Sequence, residues 1–87
     1  MRRSIDDHPF DPSEMPPGWE DDDLMPVSWG VAIADDYEDA EPRVVLTVEE
    51  VGQPGTGLIA HLSPDLARRL RVALRDALHE IGQEPGE

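Results

Sequence analysis

From Val27 onward the chain carries a readable periodicity. Val27, Trp29, Val31 and Ile33 alternate with Ser28, Gly30, Ala32 and Ala34. A period of two predicts a strand with one large apolar face and one face of small residues. Asp35 to Pro42 reads as a solvated loop. Arg43 to Val51 is rich in β-branched residues and predicts a second strand, with Val44, Leu46 and Val48 on one face and Val45, Thr47 and Glu49 on the other. Gly52-Gln53-Pro54-Gly55-Thr56-Gly57 is a turn by composition. Leu58 to Leu62 then predicts a short third strand, with Leu58, Ala60 and Leu62 opposite Ile59 and His61.

After Ser63 the period becomes helical. Ser63 suits an N-cap, Pro64 the first helical position, and Asp65 the positive helix end. Leu66, Leu70, Ala73, Leu74, Ala77, Leu78 and Ile81 form one apolar stripe, and Gly82 is a natural stop. The expected fold is α+β: residues 27–82 form a β-β-β-α domain, a small three-stranded antiparallel meander followed by one C-terminal helix, with residues 83–87 as a frayed tail. The Val27/Trp29/Val31/Ile33 and Val44/Leu46/Val48 faces are the expected helix side. The other face offers Gly30, Ala32, Val45, Thr47, Ile59 and His61. It is not an obvious water face, so the N-terminal segment or a second protomer is expected to cover it.

Residues 1–26 show no sustained period and contain Pro9, Pro12, Pro16, Pro17 and Pro26. Proline removes a backbone donor and biases its predecessor away from the helical region. The expectation is a disordered, Pro-rich acidic arm. Apolar residues sit among its acids: Phe10, Met15 and Trp19, then Glu20, Asp21, Asp22 and Asp23 followed by Leu24 and Met25. Such mixing marks short interaction segments. Phe10 and Trp19 to Met25 are therefore candidate partner-binding residues, directed at a basic protein surface.

Charge sharpens this division. Residues 4–42 hold thirteen acids and no Lys or Arg, within a chain of formal charge −13. Such a block attracts basic surfaces and is repelled by nucleic acid. At 87 residues the chain is at most one domain. Without the arm, the folding unit is near the lower limit for autonomous domains. No cysteine is present, so the expected staple is a partner or a second copy. No signal-like apolar stretch follows Met1-Arg2-Arg3 and no run reaches membrane-spanning length, which gives the expectation of a soluble cytoplasmic protein.

The candidate chemistry is sparse. Asp35, Asp36, Glu38, Asp39 and Glu41 offer oxygen ligands but lack the frame of a calcium-binding loop. His8, His61 and His79 fall in no metal-ligand spacing. No nucleophile elbow, phosphate loop or dinucleotide fingerprint appears, so neither an enzyme nor a cofactor is expected. On the helix, Arg68, Arg71 and Arg75 follow i, i+3, i+7 spacing on the side away from the Leu/Ala stripe, with Val72 beside them. This is a second candidate partner surface, for a carboxylate or phosphate, or for the acidic arm itself.

The function expected from these features is a small non-enzymatic protein–protein interaction module, with a homodimer as one form and the acidic arm as a second contact. The alternative is an acidic inhibitor of the antitoxin, immunity or DNA-mimic type that binds a basic partner. Direct nucleic-acid binding through the helix arginines is opposed by the net charge.

Overall fold

The computed structural model describes residues 1–53 and 55–86; Pro54 of the expected turn and Glu87 of the expected tail lie outside them. Four strands and one α-helix build the fold, β1 (Arg2–His8), β2 (Val27–Ala34), β3 (Arg43–Glu50), β4 (Leu58–Leu62) and α1 (Pro64–Glu80), with a short 3-10 helix (Pro12–Glu14) between β1 and β2. The strands form a single antiparallel sheet in the order β1-β2-β3-β4.

The α+β class and the C-terminal helix agree with the sequence reading, but the sheet has four strands rather than three. The N-terminus is also not a disordered arm. Arg2–His8 pairs antiparallel with β2, from Arg2 opposite Ala34 to His8 opposite Trp29, with an irregularity between Ser4 and Asp6. The Met1 ammonium binds the Asp35 carboxylate, and the Asp35 amide donates to the Met1 carbonyl at 3.2 Å. Backbone pairing supplies this order without an apolar stripe. Residues 9–26 thus form a loop anchored at both ends, by β1 and by the Val51 amide donating to the Pro26 carbonyl at 3.1 Å.

Register sorts the sheet into two faces. Trp29 opposes Val48, Val31 opposes Leu46, and Ile33 opposes Val44, which in turn opposes Leu62. This apolar face carries the helix, as the alternation predicts: Val31, Val44, Leu46 and Leu62 line one groove together with Ala67, Leu70, Leu74 and Leu78 of α1.

The opposite face is covered locally by the β2–β3 loop. Tyr37 from that loop reaches back to His61, with its hydroxyl 2.8 Å from Nδ1, and lies under the Arg43 guanidinium at 4.6 Å. Arg43 and His61 flank Val45 on this face, since Val45 pairs with both Ala32 and His61. Among the described residues only Val45 and Ala34 are buried, and both belong to this face.

The helix is built as its sequence dictates. Ser63 Oγ accepts from the Leu66 amide at 3.3 Å, a cap worth about 1 kcal/mol. Gly82, at φ +77°, ends the helix in the left-handed region. There Gln83 donates to the Leu78 carbonyl at 2.8 Å and Gly82 to the His79 carbonyl at 3.0 Å, closing a Schellman motif.

Candidate interaction surface

Packing of the helix onto the sheet is thin. The backbone of α1 approaches β3 and β4 alone. Ala67 and Leu78 are half-buried, whereas Leu66, Leu74 and Ile81 stay 51, 59 and 71 % exposed. The apolar face beneath contains no buried side chain among the described residues. The radius of gyration is 15.2 Å and the thinnest dimension 17 Å, against about 12 Å for the radius of a compact domain of this length. The molecule is two layers with little between them.

Two members of the arginine stripe do not lie on the outer back of the helix. Arg71, Val72 and Arg75 line the helix–sheet groove beside Val31 of β2, which places them on the β2-ward flank. At 100° per residue, Leu66, Ala73 and Ala77 then fall on the opposite flank, over β4. Arg68 binds Asp65 at 2.6 Å and Arg75 binds Asp76 at 3.3 Å. Among the described residues the ion pairs of the helix arginines are to acids of the helix itself, and none reaches the acidic N-terminal segment.

The candidate residues of that segment are gathered by turns. Phe10 and Trp19 stack edge to face with centroids 5.7 Å apart, both half-buried. The Asp21 and Asp22 amides donate to the Gly18 carbonyl at 3.0 and 3.1 Å, and the Leu24 amide donates to the Trp19 carbonyl at 3.1 Å. Glu20 to Asp23 are thereby displayed outward, with Leu24 and Met25 exposed beside them. Among the described residues no ion pair or side-chain hydrogen bond joins this segment to Arg68, Arg71 or Arg75.

The second sheet face has polar walls. Arg2, Ser4, Asp7, Ser28, Thr47 and Glu49 surround a floor that includes Gly30 and Ala32. Both signs of charge line it, so it selects no simple ion. His8 Nε2 meets Glu14 Oε1 at 2.7 Å while its ring lies against Trp29. Ser63 Oγ is committed to the helix cap. Among the described residues no group of three or more His, Cys, Asp or Glu side chains is placed to hold a metal ion, and no helix is long and apolar enough to cross a membrane.

One loop feature escaped the reading of residues 35–42 as solvated. Arg43 grips Asp39 through both terminal guanidinium nitrogens, Nη1 donating to Oδ1 at 2.9 Å and Nη2 to Oδ2 at 2.6 Å. These bonds, followed by the Glu41 amide at 3.0 Å, hold the Asp39 carboxyl far below the usual carboxylate range. A depressed folded value means that this contribution to stability is complete above the unfolded value of about 3.9 and is lost as pH falls through the folded one. Asp39→Asn is therefore expected to lower the melting temperature at neutral pH, with the difference from wild type closing in strong acid. Paired thermal melts across the acid range measure it; parallel curves at every pH would show that the Asp39–Arg43 pair does not secure the loop.

No protein-family model, curated protein or solved structure matches the chain.

Proposed function

We propose that the protein is a small non-enzymatic interaction module whose docking surface is the apolar side of α1 together with the strands under it. One observation carries this reading: Leu66, Leu74 and Ile81 remain exposed over a sheet face that itself buries nothing among the described residues. Burying a leucine stabilises by about 1.5–3 kcal/mol. Leaving several exposed on one face is the pattern of a surface completed by a partner.

A photoactivatable amino acid at position 74 tests the reading in the native cell, with position 36, in the exposed β2–β3 loop, as control. Adducts from position 74 and none from position 36 are expected. Equal yields, or none from position 74, would overturn it.

A second reading, the acidic inhibitor of a basic partner, rests on the turns that display Glu20 to Asp23 beside Leu24 and Met25. It requires binding that weakens steeply with salt and fails when those four acids are neutralised, whereas docking through α1 persists in salt.

A further inference from the structure

We infer that the partner of this surface is a second copy of the chain, joined edge to edge through β4 into a continuous eight-stranded antiparallel sheet. This rests on the docking role proposed for α1 and its strands and names the occupant.

The two edges of the sheet are built differently. β1 carries Arg2, Arg3, Asp6 and Asp7 and an irregularity at Ser4/Asp6. Charges and irregularities of this kind prevent an edge from recruiting another strand. β4 reads Leu-Ile-Ala-His-Leu, with no acid, arginine or proline and an uninterrupted register against β3. Its Leu58 is 80 % exposed and its Ile59 52 %. An edge of this composition is a template for a further strand.

The geometry suits the same strand of another copy. A two-fold axis perpendicular to the sheet, midway between the two β4 strands at the level of Ala60, keeps each face on its own side. Leu58 then lies opposite the second copy's Leu62 on the helix face, and Ile59 opposite the second copy's His61 on the other. Neighbouring strands lie about 4.8 Å apart. A helix resting between β3 and β4 therefore lies about 5 Å from this axis, and two such helices would run about 10 Å apart, near ordinary helix packing distance. The flank of α1 that would face the axis is the one bearing Leu66, Ala73 and Ala77.

Charge selects this edge as well. Residues 58–81 hold four arginines and three acids, whereas the remaining residues hold three arginines and seventeen acids. The β1 edge is also balanced in charge but is charged and irregular. Copies approaching through the surfaces of residues 9–42 would bring acids together, whereas through β4 and α1 they meet at a nearly neutral, apolar region. A homodimer of this kind is isologous, so one self-complementary patch suffices.

Sedimentation velocity on the full chain over a wide concentration range is the test. A particle of twice the 9.7 kDa chain mass is expected. Ala60 is exposed, so Ala60→Lys and Ala60→Asp should each keep the wild-type far-UV spectrum. Each would set two like charges face to face across the axis and raise the dissociation constant by about tenfold or more. Mixing the two variants should restore the dimer, because Lys then meets Asp. A monomer at all concentrations, or a dimer indifferent to both substitutions, overturns the inference. If the chain is monomeric while position 74 still yields adducts to a different protein, the docking role of α1 stands and the second copy is excluded. Absence of any adduct from position 74 overturns the docking role proposed for α1, whereas sedimentation of wild type and the Ala60 variants decides the second copy.

Discussion

Val45→Asp is expected to leave the chain unfolded at room temperature. Val45 is the one described side chain with 0 % exposure. It lies between Ala32 and His61 in the register, beneath the loop that Tyr37 and Arg43 fasten down. A carboxylate there would find its nearest donors committed, since the Tyr37 hydroxyl is engaged with His61 and the Arg43 guanidinium with Asp39. An uncompensated buried charge costs about 3–5 kcal/mol. At about 0.05–0.15 kcal/mol per residue the whole chain is held by roughly 4–13 kcal/mol, and a core this thin belongs at the lower end. Val45→Ala removes only methyl groups; at about 2 kcal/mol it should stay folded and melt about 10 °C lower. Circular dichroism and thermal melts of the two variants decide the matter. An Asp variant that melts like wild type would mean that the Tyr37 loop does not seal this face.

The elements with apolar periodicity were legible in the sequence, and the faces with them. The alternation from Val27 and from Val44 marked the helix side of the sheet, and Ser63-Pro64-Asp65 marked the helix start, because burial and capping write themselves into residue type. β1 was not legible for the converse reason. Arg2-Arg3-Ser4-Ile5-Asp6-Asp7-His8 contains one apolar residue, and that residue, Ile5, is exposed at the irregularity. What holds β1 is backbone pairing to β2 and the Met1–Asp35 contact. Neither leaves a periodic trace. The one available signal lay in β2, whose second face of Ser28, Gly30, Ala32 and Ala34 suits a strand with neighbours on both sides. Tyr37 was hidden in a similar way, as a lone aromatic among acids, with its partners His61 and Arg43 far along the chain or across the turn. On the candidate surface, the sequence identified the stripe of α1 but placed Arg71 and Arg75 on its outer back. The structure puts them on the groove flank because the helix is rotated with Ala67 and Leu78 toward the sheet.

Gly57→Val should disrupt the entry to β4 and lower the melting temperature by about 4–8 °C for each kcal/mol lost. A Cβ at Gly57 would stand 2.7 Å from the Val48 carbonyl oxygen and would also collide with Cγ of Glu49. The Glu49 side chain can swing away, but the carbonyl belongs to the backbone of β3 and moves only with the strand. Overpacking of this kind costs about 1–3 kcal/mol. The damage is local, because Val48 opposite Leu58 is the pair at this end of the β3–β4 ladder. Amide exchange should therefore accelerate at Leu58 and Ile59 while Val31, in the middle of the sheet, changes little. Gly52→Ala separates space from conformation: Gly52 has φ +86° and nothing within 4 Å of a built Cβ. It should lose about 1–2 kcal/mol through backbone strain alone and leave β4 exchange at the wild-type rate. Since the proposed assembly uses the outer edge of β4, Gly57→Val should also shift the dimer toward monomer, and Gly52→Ala should not. Equal effects of the two substitutions on β4 exchange would show that the close approach of Gly57 to β3 does not set the position of that edge.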